Sequence, residues 1–201
     1  MCGRYYLERT TLLPHEAAAL LNERFERAVK LEGEVSPGDL APVRAPNSRR
    51  QKAAFAMEWG YTLPDGRRVI NARSETVGER PLFRDGMAHR RCVVPASRYF
   101  EWQRRGKGRA RYAVWAKDGG PLCMAGVYRL EGRKAVFAIL TREPAAEIAF
   151  LHDRMPVLLP ENLADAWLDA ANDPAELLRQ ALREVAFAPD PGETVQLGME
   201  L

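Results

Sequence analysis

A long series of β-strand patterns between residues 54 and 140 is the feature that most constrains the fold of this chain. In residues 54–59, large apolar side chains alternate with alanine or glutamate, which is the period of two expected for a half-buried strand. Further strand patterns follow, several separated by glycine-containing turns, at 69–72, 91–94, 98–103, 112–117, 122–130 and 135–140. This run predicts a curved or barrel-like, mostly antiparallel β-sheet.

Helical patterns are shorter and irregularly spaced, so we expect the helices to flank the sheet in an α+β fold. A helix is predicted over residues 14–31, with Leu13, Ala17, Leu21 and Phe25 as its buried stripe because they recur every four residues. Shorter helices are predicted near 74–79, 144–151, 161–170 and 174–184. Residues 3–7 are predicted to form a strand, and residues 34–51, which contain several prolines, are predicted to be irregular.

Length and composition predict one globular domain over residues 1–201. The chain is 46% hydrophobic and 28% charged, a balance typical of folded rather than disordered domains. Motifs occupy about residues 1–170, and the tail after about residue 189 is expected to be loose. No run approaches the roughly 20 apolar residues that span a bilayer, and the N-terminus has no apolar signal core. We therefore expect a cytoplasmic protein without a membrane partner.

The cysteine pattern excludes a disulfide framework and a cysteine metal site. Cys2, Cys92 and Cys123 are odd in number and widely spaced. Cys92 and Cys123 lie in apolar runs and are expected to be buried, inert thiols. The sequence contains neither paired CxxC nor HExxH motifs, and no glycine-rich phosphate loop, so we predict no metal and no cofactor.

Positive charge is concentrated in two groups, although the net charge is only +3. The first group lies in a loop and consists of Arg49, Arg50 and Lys52. The second lies around a predicted hairpin turn and consists of Arg104, Arg105, Lys107, Arg109 and Arg111. Clustered arginine and lysine can neutralise phosphates, but charge at a hairpin turn is as often simply solvated.

Cys2 is the first candidate for chemistry, because removal of the initiator methionine would leave an amine and a thiol on adjacent carbons. Such an aminothiol condenses with an aldehyde: the amine forms a Schiff base and the thiol closes a thiazolidine ring. The unperturbed pKa is about 7.7–8.0 for the amine and about 8.5 for the thiol, so modest tuning would make both nucleophilic near neutral pH. The alternative is that Met-Cys-Gly only begins a strand.

Polar residues elsewhere are candidates for the same site. Glu101 lies in an aromatic strand, where partial burial would raise its pKa and suit it to proton exchange; alternatively it faces solvent. Asn71 could orient an amine or thiol, or simply occupy a turn. His152 is either a second proton-transfer group or a structural histidine. Arg73 and Arg154 offer planar guanidinium groups for phosphate.

Together these residues resemble the SRAP family, the SOS-response-associated peptidases, also called abasic-site processing proteins. The matching motifs occur in family order over about residues 1–170. They are Met1-Cys2-Gly3-Arg4-Tyr5, Ser36-Pro37-Gly38, Trp59-Gly60-Tyr61, Asn71-Ala72-Arg73-Ser74-Glu75-Thr76, Arg91-Cys92-Val93-Val94-Pro95-Ala96, Tyr99-Phe100-Glu101-Trp102, Ala125-Gly126-Val127-Tyr128, Leu140-Thr141 and His152-Asp153-Arg154-Met155-Pro156. Each motif is weak alone, but the ordered set beginning at an N-terminal cysteine is specific.

The resemblance implies a sensor of abasic sites in single-stranded DNA that acts in the DNA damage response. In the family, Met1 is removed, at least partly by self-processing, and the exposed cysteine reacts with the C1′ aldehyde of the ring-opened sugar to leave a thiazolidine crosslink. Some members also reverse the crosslink or cleave the strand by β-elimination, so autopeptidase and lyase activities are implied. We expect a monomer, associated with the nucleoid when bound to DNA.

By position, the resemblance also implies a role for each site residue. Cys2 would be the nucleophile through both amine and thiol, and Asn71 would orient it. Glu101 would handle protons during Schiff-base formation and methionine removal, and His152 would assist ring opening or stabilise the sugar hydroxyl. Flanking DNA would be held by four residues, which are Arg4, Arg73, Thr141 and Arg154.

The chain departs from the family in two segments. After Trp59-Gly60-Tyr61, many members carry a longer loop with an extra tryptophan that stacks on bases; here the segment is the short TLPDGRRV, in which Arg67 and Arg68 are expected to substitute by charge. A Val-Asn-containing C-terminal segment is also missing. Two other functions stay open: a thiol peptidase with Cys2 as nucleophile, and a non-covalent single-strand binder that uses only its arginines.

Overall fold

The computed structural model describes residues 2–22, 25, 27–106 and 108–190. The strands are β1 Arg4–Leu7, β2 Gly33–Val35, β3 Leu40–Pro46, β4 Lys52–Trp59, β5 Tyr61–Thr62, β6 Arg68–Val69, β7 Asn71–Arg73, β8 Arg91–Ala96, β9 Arg98–Arg105, β10 Gly108–Ala116, β11 Leu122–Glu131, β12 Lys134–Arg142, β13 Met155–Pro156, β14 Leu158–Leu159 and β15 Val185–Pro189. The helices are α1 Pro14–Asn22, α2 Arg84–His89, α3 Glu161–Leu168 and α4 Pro174–Arg179, with a short 3-10 helix at Ala146–Ile148.

Five strands close into a ring. β12 pairs with both β11 and β4, β4 pairs with β3, β3 with β8, and β8 with β11. The β12–β4 contact is parallel, and β3 meets β8 through one residue pair, Arg44 and Val93. The remaining ring contacts are antiparallel. The predicted α+β fold with a barrel-like, mostly antiparallel sheet is therefore confirmed.

A second sheet, in the order β15-β10-β9-β1-β2, packs against this ring. Because side chains alternate along a strand, three ring strands, β8, β11 and β12, contribute to two apolar clusters, whereas β3 and β4 contribute to one of them. Phe137 and Ile139 of β12 pack in the cluster that includes Tyr5 of the second sheet. Ala138 of the same strand faces the other cluster, which includes Trp167 of α3. The start of the chain thus lies between two sheets, in the larger core.

Helix α1 is shorter than predicted, and its buried face is shifted by one residue. The helix ends at Asn22, and the described residues between 25 and 31 are not helical. Leu12 and Leu20 are buried, whereas Leu13 and Leu21 are exposed. The four-residue period is therefore right and the predicted stripe is wrong.

The shift has its cause in Glu16, a charged residue on the buried face of α1. Its carboxylate accepts hydrogen bonds from Arg44 Nε at 2.7 Å and from Arg44 Nη2 at 2.8 Å. It also accepts one from the backbone nitrogen of Leu13 at 3.0 Å. Burial raises the pKa of Glu16, but these hydrogen bonds outweigh it and hold the pKa below its ordinary value. A fully partnered carboxylate can thus occupy a position where the pattern predicts a solvated one.

Replacing Arg44 with methionine is expected to lower the free energy of unfolding by about 3–5 kcal/mol, because it leaves a buried carboxylate without its partner. The matched control is Lys52→Met, since Lys52 pairs with Asp165 at the exposed surface and such pairs contribute about 1 kcal/mol or less. Urea denaturation followed by tryptophan fluorescence measures both losses. Equal losses in the two variants would contradict this interpretation of α1.

Other differences from the sequence pattern come from tertiary context. The segment predicted to be irregular contains β2 and β3; β3 tolerates its prolines because it pairs fully with β4 but only once with β8. Residues 74–79 form turns rather than a helix, since the backbone nitrogen of Ser74 donates to Thr141 O at 2.8 Å and extends the alignment with β12. The predicted last helix stops at Arg179, and Val185 begins β15 instead. Helix α2 is not predicted by the sequence.

Cys92 and Cys123 are buried free thiols, as predicted. The predicted loose tail falls almost wholly outside the described residues, as does Met1. Within the described residues, no helix has both the length and the apolar character required to cross a membrane.

Candidate active site

The pairing of β1 with β9 brings the start of the chain to Glu101. Arg4 lies opposite Phe100 and Tyr5 lies opposite Tyr99, so continuing the antiparallel register carries the chain past Glu101. The charge of Glu101 acts on the Cys2 thiol and raises its pKa. Strand pairing therefore joins two motifs that are far apart in the sequence.

Cys2 is fully buried. Its thiol donates a long hydrogen bond, 3.6 Å, to the carbonyl oxygen of Arg4. Burial is the main cause that raises the pKa of the Cys2 thiol well above its ordinary value, and the charge of Glu101 adds to it. The thiol is therefore protonated at neutral pH, and the expectation that it is tuned toward neutrality is wrong. Exposure, which the sequence does not reveal, decides the direction of the shift.

Asn71 binds the backbone of Cys2. The side-chain Nδ2 of Asn71, at the start of β7, donates a hydrogen bond to the carbonyl oxygen of Cys2 at 2.9 Å. Asn71 is held in place by the parallel pairing of β7 with β12, in which it lies opposite Ile139. Its Oδ1 atom is buried, and no hydrogen-bond partner for it is found among the described residues. The amide is thus fixed beside Cys2 with one acceptor still unused.

Glu101 is a buried carboxylate in β9, only 3% exposed. Burial raises the pKa of Glu101 from its ordinary value of 4.5 to about 7. The prediction that this glutamate is buried and carries a raised pKa is confirmed. A carboxyl group with a pKa near 7 can both accept and release a proton at physiological pH, which suits general acid–base chemistry.

His152 faces Glu101 across a cavity of about 550 Å³ that both residues line. The backbone nitrogen of Arg154 donates to His152 Nδ1 at 3.1 Å, and the Asp153 carboxylate lies 2.5 Å from the same ring nitrogen. Burial lowers the pKa of His152, although the nearby Asp153 carboxylate opposes the shift. The imidazole is therefore neutral near pH 7. The four predicted site residues are linked in turn by the Asn71–Cys2 hydrogen bond, the Cys2–Glu101 interaction and this cavity.

Two buried tyrosines lie near Cys2, and the sequence analysis did not identify them as site residues. Tyr5 and Tyr99 are cross-strand partners, and their hydroxyl groups have no hydrogen-bond partner among the described residues. Burial, followed by the Cys2 charge, raises the pKa of both phenols. These hydroxyls are neutral donors beside Cys2. Both tyrosines belong to family motifs, Tyr5 to the N-terminal motif and Tyr99 to the motif that contains Glu101. That position in the sequence could have identified them as site residues.

Two of the predicted DNA-contact residues are engaged inside the protein. Arg154 makes a bidentate ion pair with Glu75, at 2.9 and 2.6 Å, and donates to the carbonyl oxygen of Thr141 at 2.6 Å. Thr141 is 1% exposed, and its hydroxyl donates to Ala72 O at 3.3 Å. The Thr141 side chain therefore has no access to a polynucleotide here, which corrects its assignment as a direct contact. Arg154 and Thr141 instead brace β7 against the His152 segment.

The other two predicted contacts differ from each other. Arg4 binds Glu34, which also accepts a hydrogen bond from Arg111 at 2.5 Å; burial raises the pKa of Glu34, but these two arginines outweigh it and lower the pKa. Arg73 is exposed and has no ion pair within the described part of the chain. It lines a second cavity, of about 330 Å³, together with Asn71 and Arg80. Arg73 is thus exposed, and its contact with phosphate stays a prediction.

The arginines expected to replace the missing tryptophan loop are also neutralised. Arg68 Nη1 contacts the buried carboxylate of Glu58, and Arg67 Nε binds Asp65 at 2.7 Å. Both charges are compensated locally. Arg68 is thus engaged by a buried carboxylate, whereas Arg67 pairs only at the exposed surface, and its contribution of positive charge for DNA stays a prediction.

Relatives of this chain are named abasic site processing proteins. The chain is 32% identical over 138 residues to the abasic site processing protein YobE of Bacillus subtilis; the match spans 63% of each chain, so the chain covers less than two thirds of that relative. It is 27% identical over 180 residues to the abasic site processing protein YedK of Escherichia coli, which covers 84% of this chain and 79% of the relative.

A solved structure shares the fold. The crystal structure of a phage-related protein from Bordetella bronchiseptica superposes with a TM-score of 0.74 at 26% identity, and the match covers 95% of both chains. The family model for "SOS response associated peptidase (SRAP)" matches residues 1–191. The chain therefore belongs to the SRAP family.

Proposed function

We propose that this protein is an abasic-site sensor that crosslinks itself to single-stranded DNA through the N-terminal aminothiol of Cys2, once Met1 has been removed. The single observation that carries the proposal is the hydrogen bond of 2.9 Å from Asn71 to the Cys2 carbonyl, beside the buried carboxyl group of Glu101. This contact fixes the backbone of the residue whose amine and thiol would react. The names of the relatives YobE and YedK, both abasic site processing proteins, support the same substrate class.

The proposed reaction conserves every atom except those of one water molecule. The Cys2 amine adds to the C1′ aldehyde of the ring-opened sugar, and loss of water from the carbinolamine gives a Schiff base. The thiol then adds across the carbon–nitrogen double bond: a carbon–sulfur bond forms and the thiol proton passes to nitrogen. The product is a thiazolidine ring that contains C1′.

The electrostatics of the site support an order of events in which the amine reacts first. Because burial keeps the Cys2 thiol protonated, the thiol is a poor first nucleophile. A Schiff base is a stronger electrophile once protonated, and Glu101, with a pKa of about 7, can supply that proton and take it back. His152, which is neutral near pH 7 and lines the same cavity as Glu101, can exchange a proton with the sugar oxygen that leaves C1′ on ring opening.

The same groups would serve two further activities. Hydrolysis of the Met1–Cys2 peptide bond consumes one water, and Glu101 can deprotonate that water when ionised. A Schiff base at C1′ also acidifies the adjacent carbon, so a base beside it would allow strand cleavage by β-elimination. We include autopeptidase and lyase activities in the proposal on these grounds, together with a monomeric, cytoplasmic protein that joins the nucleoid when bound to DNA.

Intact mass after incubation with an abasic single-stranded oligonucleotide tests the proposal. The expected product has the mass of protein without Met1 plus DNA minus one water. A matched oligonucleotide with an intact base should give no adduct. If protein confirmed to begin at Cys2 gives no adduct with the abasic strand, the proposal is wrong.

Acetylation of the N-terminus separates this function from a thiol peptidase. The acetylated amine cannot form a Schiff base, so crosslinking should be lost. A thiol peptidase that uses Cys2 as nucleophile and His152 as base would keep its activity on peptides, because it needs only the thiol. A non-covalent binder would be indifferent to acetylation and to the lesion, and only salt would weaken it.

A further inference from the structure

The hairpin of β9 and β10 carries arginines that the fold does not neutralise. Arg104 and Arg109 lie directly opposite each other in register, both are exposed, and neither has an ion pair among the described residues. Arg111 in the same group is different: it binds Glu34 and Asp190 and lies over the ring of Phe100 at 3.6 Å. Arg111 thus has a structural role, whereas the charges of Arg104 and Arg109 are not compensated by any described carboxylate.

The opposition of Arg104 and Arg109 favours a bound anion over simple solvation. Like charges that face each other across a strand pair destabilise the sheet. A phosphate between them would turn that repulsion into two charge-assisted hydrogen bonds. The neighbouring Arg105 is also held without a carboxylate, because its guanidinium donates to Gln103 Oε1 and to the Tyr112 hydroxyl, each at 2.8 Å. Arg104, Arg105 and Arg109 therefore form a positive edge among the described residues of β9 and β10.

An exposed aromatic surface lies next to this edge. Phe150 is 47% exposed, and its ring packs edge-on against Tyr112 with a centroid distance of 5.6 Å. The Phe150 ring also packs against Phe187, with a centroid distance of 5.5 Å. A large apolar ring that is both exposed and rigidly supported offers a face for stacking a nucleobase.

The charged edge and the aromatic ring border a cavity that two residues of the candidate active site also line. Arg104, Arg109 and Phe150 line it together with Glu101 and His152. Asn71, which binds the backbone of Cys2, borders a second cavity lined by Arg73 and Arg80. Two arginine-lined cavities therefore adjoin the residues around Cys2, and each could receive nucleotides that flank a sugar reacting at Cys2.

We propose that the β9–β10 hairpin and Phe150 form a nucleotide-binding subsite for one flank of the abasic site, with the base stacked on Phe150 and its phosphate held between Arg104 and Arg109. The inference rests on the proposed function, since it takes the reacting sugar to lie at Cys2. The subsite supplies the base stacking that the short segment after Trp59-Gly60-Tyr61 does not. Its ligand is any single-stranded nucleotide, because stacking and phosphate contacts read no sequence.

The test compares three variants on abasic oligonucleotides that carry nucleotides on both flanks, on the 5′ flank only, or on the 3′ flank only. Arg104→Ala/Arg109→Ala removes the phosphate contact, and Phe150→Leu removes the aromatic face while filling the space. Arg49→Ala/Arg50→Ala is the control, because it removes two exposed charges from a turn outside the cavity. The rate of crosslinking at limiting protein concentration is the readout, with the salt dependence of binding to the same strands.

The subsite variants should slow crosslinking about 10-fold for substrates that carry nucleotides on one particular flank, which is the range for one lost stacking or phosphate contact. They should leave the substrate with only the opposite flank unchanged. The arginine variant should also reduce the slope of log affinity against log salt by about 0.7, the value for one phosphate on a single strand. The control variant should match the wild type in the flank dependence.

The outcomes separate this inference from the proposed function. If the wild type crosslinks and the subsite variants behave like the control on every substrate, the subsite is wrong and the crosslinking function stands. If the wild type forms no crosslink, the proposed function is wrong. In that case, binding to an undamaged oligonucleotide still decides the subsite, since unchanged affinity and salt slope in both variants would overturn it.

Discussion

Replacing Cys2 with serine is expected to leave a protein that captures an abasic aldehyde only in the presence of borohydride. The serine amine can still form a Schiff base, but the hydroxyl is a much weaker nucleophile than the thiol and does not hold the ring closed. Without a reductant the Schiff base hydrolyses, so the stable adduct should fall below detection. Denaturing gel electrophoresis without borohydride measures the stable adduct, and the same gel with borohydride also measures the trapped Schiff base.

The matched control is Cys123→Ala, which removes a buried thiol that burial likewise keeps protonated. Cys123 packs in the helix-facing cluster, away from Cys2. This variant should crosslink as the wild type does, once its fold is verified by circular dichroism. A stable adduct in the Cys2→Ser protein without borohydride would show that the thiol is not part of the linkage.

Replacing Glu101 with glutamine is expected to slow crosslinking by about 100-fold or more, because a positioned acid–base group contributes that much to rates. The amide has nearly the same shape but cannot exchange a proton. The wild-type rate should follow the ionisation of a group with a pKa of about 7, and this dependence should be absent in the variant. A variant with the wild-type rate and pH profile would exclude Glu101 as the proton-transfer group.

Glu101→Gln is also expected to make the protein more stable than the wild type at alkaline pH. The pKa of Glu101 is about 7 in the folded protein and 4.5 ordinarily, so the native state binds the proton more tightly than the unfolded state. In the wild type, the stabilisation that comes from protonated Glu101 is fully present below about pH 4.5 and is lost as the pH rises through about 7. One pKa unit corresponds to about 1.4 kcal/mol, so the loss is roughly 3 kcal/mol.

Denaturation of both proteins at pH 5 and pH 8 isolates this effect, after intact mass has shown that both begin at the same residue. The stability of the glutamine variant relative to wild type should increase by about 2–3 kcal/mol between the two pH values. Such a gain at the cost of activity is characteristic of a residue that is buried for its chemistry. A difference that does not change with pH would mean that Glu101 titrates near its ordinary pKa.

The sequence predicts the strands well because their period of two survives in the folded protein. It fails where a tertiary contact overrides the local pattern. Glu16 takes the inner face of α1 because Arg44, from another element, neutralises it. The proline-containing β3 forms because β4 pairs along its whole length. No local pattern contains either contact.

The site residues could be proposed from motif order, but their physical state could not. The register of β1 and β9 places Cys2 near Glu101, and only that packing reveals that the thiol is buried and protonated. Arginines that look alike in the sequence also prove unequal. Arg68 and Arg154 are bound to carboxylates, whereas Arg73 and Arg104 are exposed without such partners in the described chain.

Peptide mapping of the purified adduct tests the central claim most directly. After nuclease digestion, tandem mass spectrometry should place the sugar remnant on the N-terminal peptide at Cys2, with its amine and its thiol both resistant to acylating and alkylating reagents. A remnant on any lysine or on another cysteine, or a Cys2 thiol that still alkylates in the adduct, would contradict the thiazolidine linkage.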